Sequence, residues 1–182
     1  MMATLAPHQY VSFSLMGEEY ALKIHHVREI IAFEPITAVP SMPPVVRGVL
    51  NLRGFVVPII DLPVKFGLAP TPLDAATYLV IVDPAWSGET VRLGLVTAEL
   101  GRVIELRDDE IKPVPDFGTR IQSEYLLGVA QIDGRTVLFL DTDRLLSPAE
   151  ILRVTALEGL ASPSDAAKPD PTRGERGEAR GG

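Results

Sequence analysis

The chain has no cysteine among its 182 residues. Disulfides, thiolate metal sites and cysteine nucleophiles are therefore excluded, which fits a reducing compartment. No apolar run approaches the roughly 20 residues that span a bilayer, and the N-terminus lacks the basic and apolar regions of a secretory signal. Basic residues are outnumbered, 17 against 24 acidic ones, and none cluster beside aromatics as in a nucleic-acid surface. We expect a cytoplasmic protein with no nucleic-acid partner and no direct membrane insertion.

Recognisable catalytic motifs are missing as well. The sequence has no phosphate-binding glycine loop, no nucleophile elbow and no paired-histidine zinc helix. Its three histidines include the adjacent pair His25 and His26, which cannot point the same way on a strand or a helix. We predict no metal site, no cofactor and no catalysis.

Short segments rich in Val, Ile, Leu and Phe, separated by Gly and Pro, predict small twisted sheets. Residues 10–15 alternate apolar and polar side chains, which indicates a half-buried strand that turns at 17–19 into a second strand. Apolar runs at 56–60 and 137–140 predict buried strands. Ser147 as a cap and Pro148 at the first helical position predict a helix over about 148–158.

An internal repeat gives the chain its organisation. Residues 48–61 and 128–141 align without a gap, and each copy has a strand, a glycine turn, a returning strand and a terminal aspartate. In this alignment the residues at the turn and at the ends are shared: Gly48, Gly54 and Asp61 match Gly128, Gly134 and Asp141. Upstream, a similar spacing relates Tyr20, Leu22, Val27 and Ile30 to Leu93, Leu95, Leu100 and Val103.

We infer a mainly β protein with two related barrels, about 10–67 and about 77–147. Each barrel is marginal alone at this size, so the two are expected to dock on each other. Residues 68–77 read as a linker between them. The segment 159–182 mixes both charge signs with Pro and Gly and is predicted to be a disordered tail.

The aspartates at the ends of the two copies have two readings. Asp61 and Asp141 are each placed to cap the helical turn that follows a strand. A hydrolase with an aspartic dyad is the alternative, because such sites use one carboxylate from each half of a duplicated fold. The residues after each aspartate, Leu-Pro and Thr-Asp, are not the small hydroxyl residue and glycine that aspartic proteases place there.

The two copies differ in charge at the hairpin tip, where Arg53 in the first corresponds to Asp133 in the second. An arginine on a turn is most often an ordinary surface residue. On a rigid turn beside apolar groups it is also a good anchor for a partner, because it combines a charge with a planar head that stacks.

Residues 19–68 resemble the CheW-type domain of chemotaxis coupling proteins and their kinases. The resemblance is carried by Tyr20-Ala21-Leu22, Val27-Arg28-Glu29-Ile30, the segment GVLNLRG at 48–54 and PIIDL at 58–62. It continues to about residue 150, and it is to the stand-alone coupling protein rather than to the kinase.

The resemblance implies two SH3-like five-stranded barrels packed together, with short connecting helices and a C-terminal helix, in one domain over 9–158. It implies a signalling adaptor whose partners are the cytoplasmic tip of chemoreceptors and the regulatory domain of a CheA-like histidine kinase, in arrays at the inner face of the membrane. By motif, Val27, Glu29 and Arg53 would bind the receptor. Gly48, Asn51 and Gly54 would contribute to the interface or support its turn.

Overall fold

The computed structural model describes residues 6–114 and 123–158, so the predicted tail at 159–182 lies outside the described residues. The strands are β1 (His8–Leu15), β2 (Glu18–Lys23), β3 (Val27–Ala32), β4 (Val46–Leu52), β5 (Phe55–Ile60), β6 (Tyr78–Val82), β7 (Ala85–Trp86), β8 (Glu89–Thr90), β9 (Leu93–Thr97), β10 (Glu99–Leu106), β11 (Leu126–Ile132) and β12 (Arg135–Leu140). Two α-helices are described, α1 (Leu62–Lys65) and α2 (Pro148–Glu158), with short 3-10 turns at 24–26, 108–110, 123–125 and 142–144. None of the described helices is long and apolar enough to cross a bilayer.

The strands form two sheets of five. Sheet I has the order β10-β1-β2-β12-β11, and sheet II has the order β3-β6-β9-β5-β4, with β7 and β8 as a separate hairpin. In each sheet, the segment that follows one edge strand is hydrogen-bonded to the strand at the opposite edge. In sheet I, Lys112 after β10 bridges to Val129 of β11, and in sheet II, Thr37 after β3 bridges to Val49 of β4. The predicted mainly β class, with two five-stranded units and a C-terminal helix, is confirmed.

The predicted barrel boundaries, about 10–67 and about 77–147, do not coincide with these sheets. Sheet II is built from the continuous segment 27–97, whereas sheet I combines 8–23 with 99–140. The structure nevertheless contains the repeat. The five strands β1, β2, β3, β4 and β5 of the first copy correspond in order to β6, β9, β10, β11 and β12 of the second. Each copy places two strands in one sheet and three in the other. Apolar periodicity identifies strands, but it does not identify the distant strand with which each one pairs.

Equivalent glycines in the two sheets permit a close backbone approach. Gly48 and Gly128 lie within strands β4 and β11 at matching bulges, not in turns. A Cβ atom on Gly48 would lie 2.5 Å from the carbonyl oxygen of Thr37, and one on Gly128 would lie 2.4 Å from that of Lys112. The bridge that ties the two edges of each sheet therefore requires glycine at this position.

The largest hydrophobic cluster lies between the two sheets. It contains Phe13 and Leu22 from sheet I, Ile60 and Leu95 from sheet II, and Val154 from helix α2, all nearly or completely buried. Each sheet also encloses a smaller cluster of its own. The two units are therefore docked, as expected, and the interface between the two sheets forms the main core of the molecule.

Strands β1 and β2 are more deeply buried than their alternating pattern predicts. Ser12 and Ala21, on the expected polar face, are both inaccessible to solvent. Ala21 packs in the cluster enclosed by sheet I, while Phe13 and Leu22 pack in the shared cluster. The Ser12 hydroxyl is satisfied because it accepts a hydrogen bond from the Arg102 N–H at 2.9 Å.

Helix α2 closes the shared core on one side. The hydroxyl of Ser147 accepts the Glu150 N–H at 3.2 Å, which is the predicted cap. Ile151 is buried in the shared cluster. The ammonium group of Lys65 is ion-paired with the Glu150 carboxylate, and this contact joins α2 to α1.

Candidate partner-binding site

Arg53 forms a bidentate ion pair with Glu29 on the surface of sheet II. The two terminal nitrogens of the guanidinium each donate to one carboxylate oxygen of Glu29, at 2.8 Å. This fork geometry is the strong form of an arginine–carboxylate contact. The Arg53 side chain is 70% exposed and that of Glu29 is 22% exposed, so the cation is the group presented to solvent.

The turn that carries Arg53 is held by its own sequence. Arg53 and Gly54 have φ angles of +53° and +86°, the type I′ geometry whose twist matches that of the flanking strands. The side-chain oxygen of Asn51 accepts the Gly54 N–H at 3.0 Å. Asn51 and Gly54 thus support the turn geometrically.

Val27 lies two residues before Glu29 at the start of β3. It is partly buried and packs against the cluster between the sheets. Strand β6, which pairs with β3, ends beside Val27. The N–H of Asp83, the residue after β6, donates to the carbonyl of His26 at 3.0 Å. Val27 therefore marks the seam between the sheets, while Glu29 and Arg53 form a surface pair beside it.

The ion pair alters the proton affinity of both partners. The hydrogen bond from Arg53 lowers the pKa of the Glu29 carboxyl, partial desolvation opposes this, and the positive charges of Arg53, Arg28 and Arg92 lower it further. The same hydrogen bond raises the pKa of Arg53. Both groups stay charged across the physiological pH range.

A second charged network adjoins this pair, and two of its members, Asp83 and Arg92, belong to no motif identified in the sequence. The carboxylate of Asp83 accepts from Arg28 at 3.2 Å and from Nε of Arg92 at 3.0 Å. The Arg92 guanidinium in turn lies over the ring of Phe55, 5.3 Å from its centroid. An aromatic directly after the Arg53-Gly54 turn was the available sequence signal for this extension of the site.

Sheet I carries the counterpart of the Glu29–Arg53 pair with the charges reversed. The upstream correspondence of Val27 and Ile30 with Leu100 and Val103 matches Glu29 to Arg102. Arg102 forms an ion pair with Asp133 at 2.5 Å. Asp133 and Gly134 adopt the same turn, with φ angles of +51° and +76°. The change of charge at the tip is therefore compensated by a matching change on strand β10. The two sheets present different charges at equivalent places.

The two repeat aspartates do not form a catalytic dyad among the described residues. The Asp61 carboxylate accepts from Arg47 and from both the N–H and the hydroxyl of Thr71. Asp141 accepts the N–H of Asp143 after the last strand of its own copy. No hydrogen bond in the described structure joins the two carboxylates, and the hydrolase alternative is not favoured.

The capping prediction is correct for one aspartate and wrong for the other. Asp141 caps the 3-10 turn at 142–144 as expected. Asp61 precedes α1 but makes no side-chain capping bond. Its carboxylate instead accepts from the partly buried guanidinium of Arg47 and from the Thr71 N–H, and the second contact fixes the linker.

Comparison with known proteins finds relatives over the same span. Residues 9–150 match the family model of the CheW-like domain. The chemotaxis protein CheW of Klebsiella aerogenes is 34% identical over 146 residues, covering 80% of this chain and 86% of that protein. The probable chemotaxis protein CheW of Rhizobium etli is 29% identical over 145 residues, covering 78% and 89% respectively.

A solved structure shows the same architecture. The crystal structure of the scaffolding protein TtCheW from Thermoanaerobacter tengcongensis matches with a TM-score of 0.70 at 28% identity. The match covers 82% of this chain and 94% of that one. This similarity confirms the pair of SH3-like barrels expected from the sequence.

Proposed function

We propose that this chain, which belongs to the CheW-like domain family, is a non-catalytic adaptor that couples chemoreceptors to a CheA-like histidine kinase. The single observation that carries the proposal within the molecule is the Glu29–Arg53 pair. It places an exposed guanidinium on a rigid turn beside the seam where Val27 packs. A preorganised arginine of this kind binds a partner with little loss of conformational entropy.

In this proposal, Val27, Glu29 and Arg53 contact the cytoplasmic tip of a chemoreceptor. Gly48 and Gly54 support that surface through the backbone, and Asn51 supports it through its side-chain hydrogen bond with the Gly54 N–H. The kinase contributes its like-folded regulatory domain, which binds elsewhere on the barrels. The adaptor works in the cytoplasm, in receptor arrays at the inner face of the membrane.

The decisive variant is Arg53→Glu, tested by co-sedimentation with membranes that contain receptor. The substitution places two carboxylates opposite each other at the tip, so receptor binding should be lost. Since the tip is a surface site, the free energy of unfolding should change by about 1 kcal/mol or less. Unchanged co-sedimentation would refute the assignment of Arg53 as a receptor contact.

A matched control is available at the other tip. Asp133→Arg reverses the charge at the equivalent position of sheet I and places it opposite Arg102. This variant should still co-sediment with receptor, because its tip lies on the other sheet. Affinity capture with the wild-type chain should recover a histidine kinase and receptors together, and recovery of neither would refute the adaptor role itself.

A further inference from the structure

Phe55 is an exposed aromatic ring on the candidate surface. Its side chain follows the Arg53-Gly54 turn and is 58% exposed. The other phenylalanines in the described residues are buried or half-buried: Phe13, Phe33, Phe66 and Phe139. No packing within the described barrels explains why this one faces solvent.

The ring is nevertheless held in place. Arg92 lies over it at 5.3 Å, a distance at which a guanidinium is attracted to the face of an aromatic ring. Arg92 is itself fixed by Asp83, whose other carboxylate oxygen accepts from Arg28 on strand β3. The network thus links the hairpin tip, the connection after β6 and the strand that carries Glu29.

The repeat shows that this arrangement belongs to one barrel only. The residue equivalent to Phe55 in sheet I is Arg135, which is also exposed. The two tips share their glycine turn and differ at both residues that flank it, Arg53 against Asp133 and Phe55 against Arg135. Both tips form the same turn, so the turn does not require an aromatic residue at position 55. We therefore relate the aromatic ring of Phe55 to the partner that this tip binds.

The charges around the ring indicate the chemistry of the partner. Arg53 is more exposed than Glu29, and Arg28 is more exposed than Asp83, so guanidinium groups are outermost in both ion pairs. Glu34 is also near enough to raise the pKa of Arg53, which limits the net positive charge. The surface therefore suits an apolar side chain with a carboxylate beside it better than a uniformly acidic segment.

We propose that Phe55 is the apolar anchor of the receptor-binding surface and selects receptor tips that place an apolar side chain next to a carboxylate. Arg92 and Asp83 act as positioning residues that hold the ring. This inference rests on the proposed function and names the partner chemistry of the same site. Exposed aromatics beside arginine are typical of the residues that dominate interface affinity.

The test is the dissociation constant for receptor-containing membranes, measured with Phe55→Ala, Phe55→Leu and Arg135→Ala. Phe55→Ala should weaken binding by about tenfold or more, as for a truncated aromatic anchor. Phe55→Leu keeps an apolar group and should recover most of that loss. Arg135→Ala, the matched change at the other tip, should leave receptor binding unaltered.

A double-mutant cycle tests the positioning role. Arg92→Gln should weaken binding less than Phe55→Ala, and it should have little further effect once Phe55 is alanine, because it acts through the ring. Additive effects of the two substitutions would refute that coupling. The melting temperature of Phe55→Ala should match that of the wild-type chain, since the ring is exposed, so a folding defect is separable from lost affinity.

The outcomes distinguish this inference from the proposed function. If Arg53→Glu abolishes binding and Phe55→Ala binds as the wild-type chain does, the anchor is refuted and the adaptor proposal stands. If Phe55→Ala weakens binding to the kinase but not to receptor, the anchor is again refuted. Failure of the wild-type chain to bind receptor at all would overturn both.

Discussion

The equivalent aspartates of the two repeat copies should contribute very differently to stability. Asp61 is completely buried, and its partner Arg47 is 24% exposed. Asp61 accepts hydrogen bonds from Arg47 at 2.5 Å, from the Thr71 N–H at 2.9 Å and from the Thr71 hydroxyl at 2.8 Å. Asp141 is 21% exposed, and its ion pair with Arg144 lies at the surface.

Asp61→Asn measures the difference with almost no change of shape. An asparagine keeps one acceptor for the Thr71 hydroxyl, but its NH₂ group faces the two donors Arg47 and Thr71 N–H. In the other orientation the amide oxygen accepts from both donors and the NH₂ group donates to the Thr71 hydroxyl, so what the substitution removes is the negative charge opposite Arg47. Removing one member of a buried ion pair costs about 3–5 kcal/mol, and because water reaches Arg47 we expect a loss near 3 kcal/mol. Asp141→Asn should cost about 1 kcal/mol or less, as for an exposed pair.

Urea unfolding of the wild-type chain and the two variants provides the assay. The midpoint should fall clearly for Asp61→Asn and little for Asp141→Asn, with the same dependence on urea concentration in all three. Equal shifts of the two midpoints would refute this expectation, because they would mean that the burial of the ion pair does not matter.

Two further predictions concern the backbone and the surface pair. Gly48→Ala and Gly128→Ala should each lower the free energy of unfolding by about 1–3 kcal/mol in the same urea titration, because the new Cβ meets a backbone carbonyl. Gly88→Ala is the control: its Cβ would lie in open space, so the free energy of unfolding should fall less. The Glu29 carboxyl should titrate below its ordinary pKa by NMR and move back towards it in Arg53→Gln. Since the folded pKa is the lower one, the stability that Glu29 contributes is complete above its unfolded pKa of about 4.3 and is lost as the pH falls through the folded pKa.

Much of the fold can be predicted from the chain because its signals are local. Turn glycines at 54 and 134, apolar strands at 56–60 and 137–140, and the cap at Ser147 each depend on neighbouring residues only. The assignment of β1 and β2 to sheet I depends instead on pairing with β10 and β12, far along the chain. No local pattern encodes that partner, which is why the predicted barrel boundaries differ from the limits of the sheets although the predicted strands are present.

The site shows the same division. Arg53 is identifiable because the repeat diverges there, and Glu29 because it lies in a recognisable motif. Asp83 and Arg92 have no such signal, since their role arises only when the segment after β6 is brought beside the hairpin tip. For Asp61, the pattern of a strand followed by a turn predicts a cap, but a partly buried arginine from β4, Arg47, binds the carboxylate instead.

The path of the chain has a consequence for how an adaptor of this kind would transmit a signal. Within residues 6–114 and 123–158, the chain passes from one sheet to the other at 24–26 and at Ala98. The first crossing leads directly into the strand that carries Val27 and Glu29. The largest core lies between the sheets and includes residues of helix α2, so rotation of one sheet against the other would disrupt that close-packed core. The two barrels should therefore move as one body. A bias imposed by a receptor at the Arg53 tip would then reach a kinase through the orientation of the whole adaptor rather than through a hinge inside it.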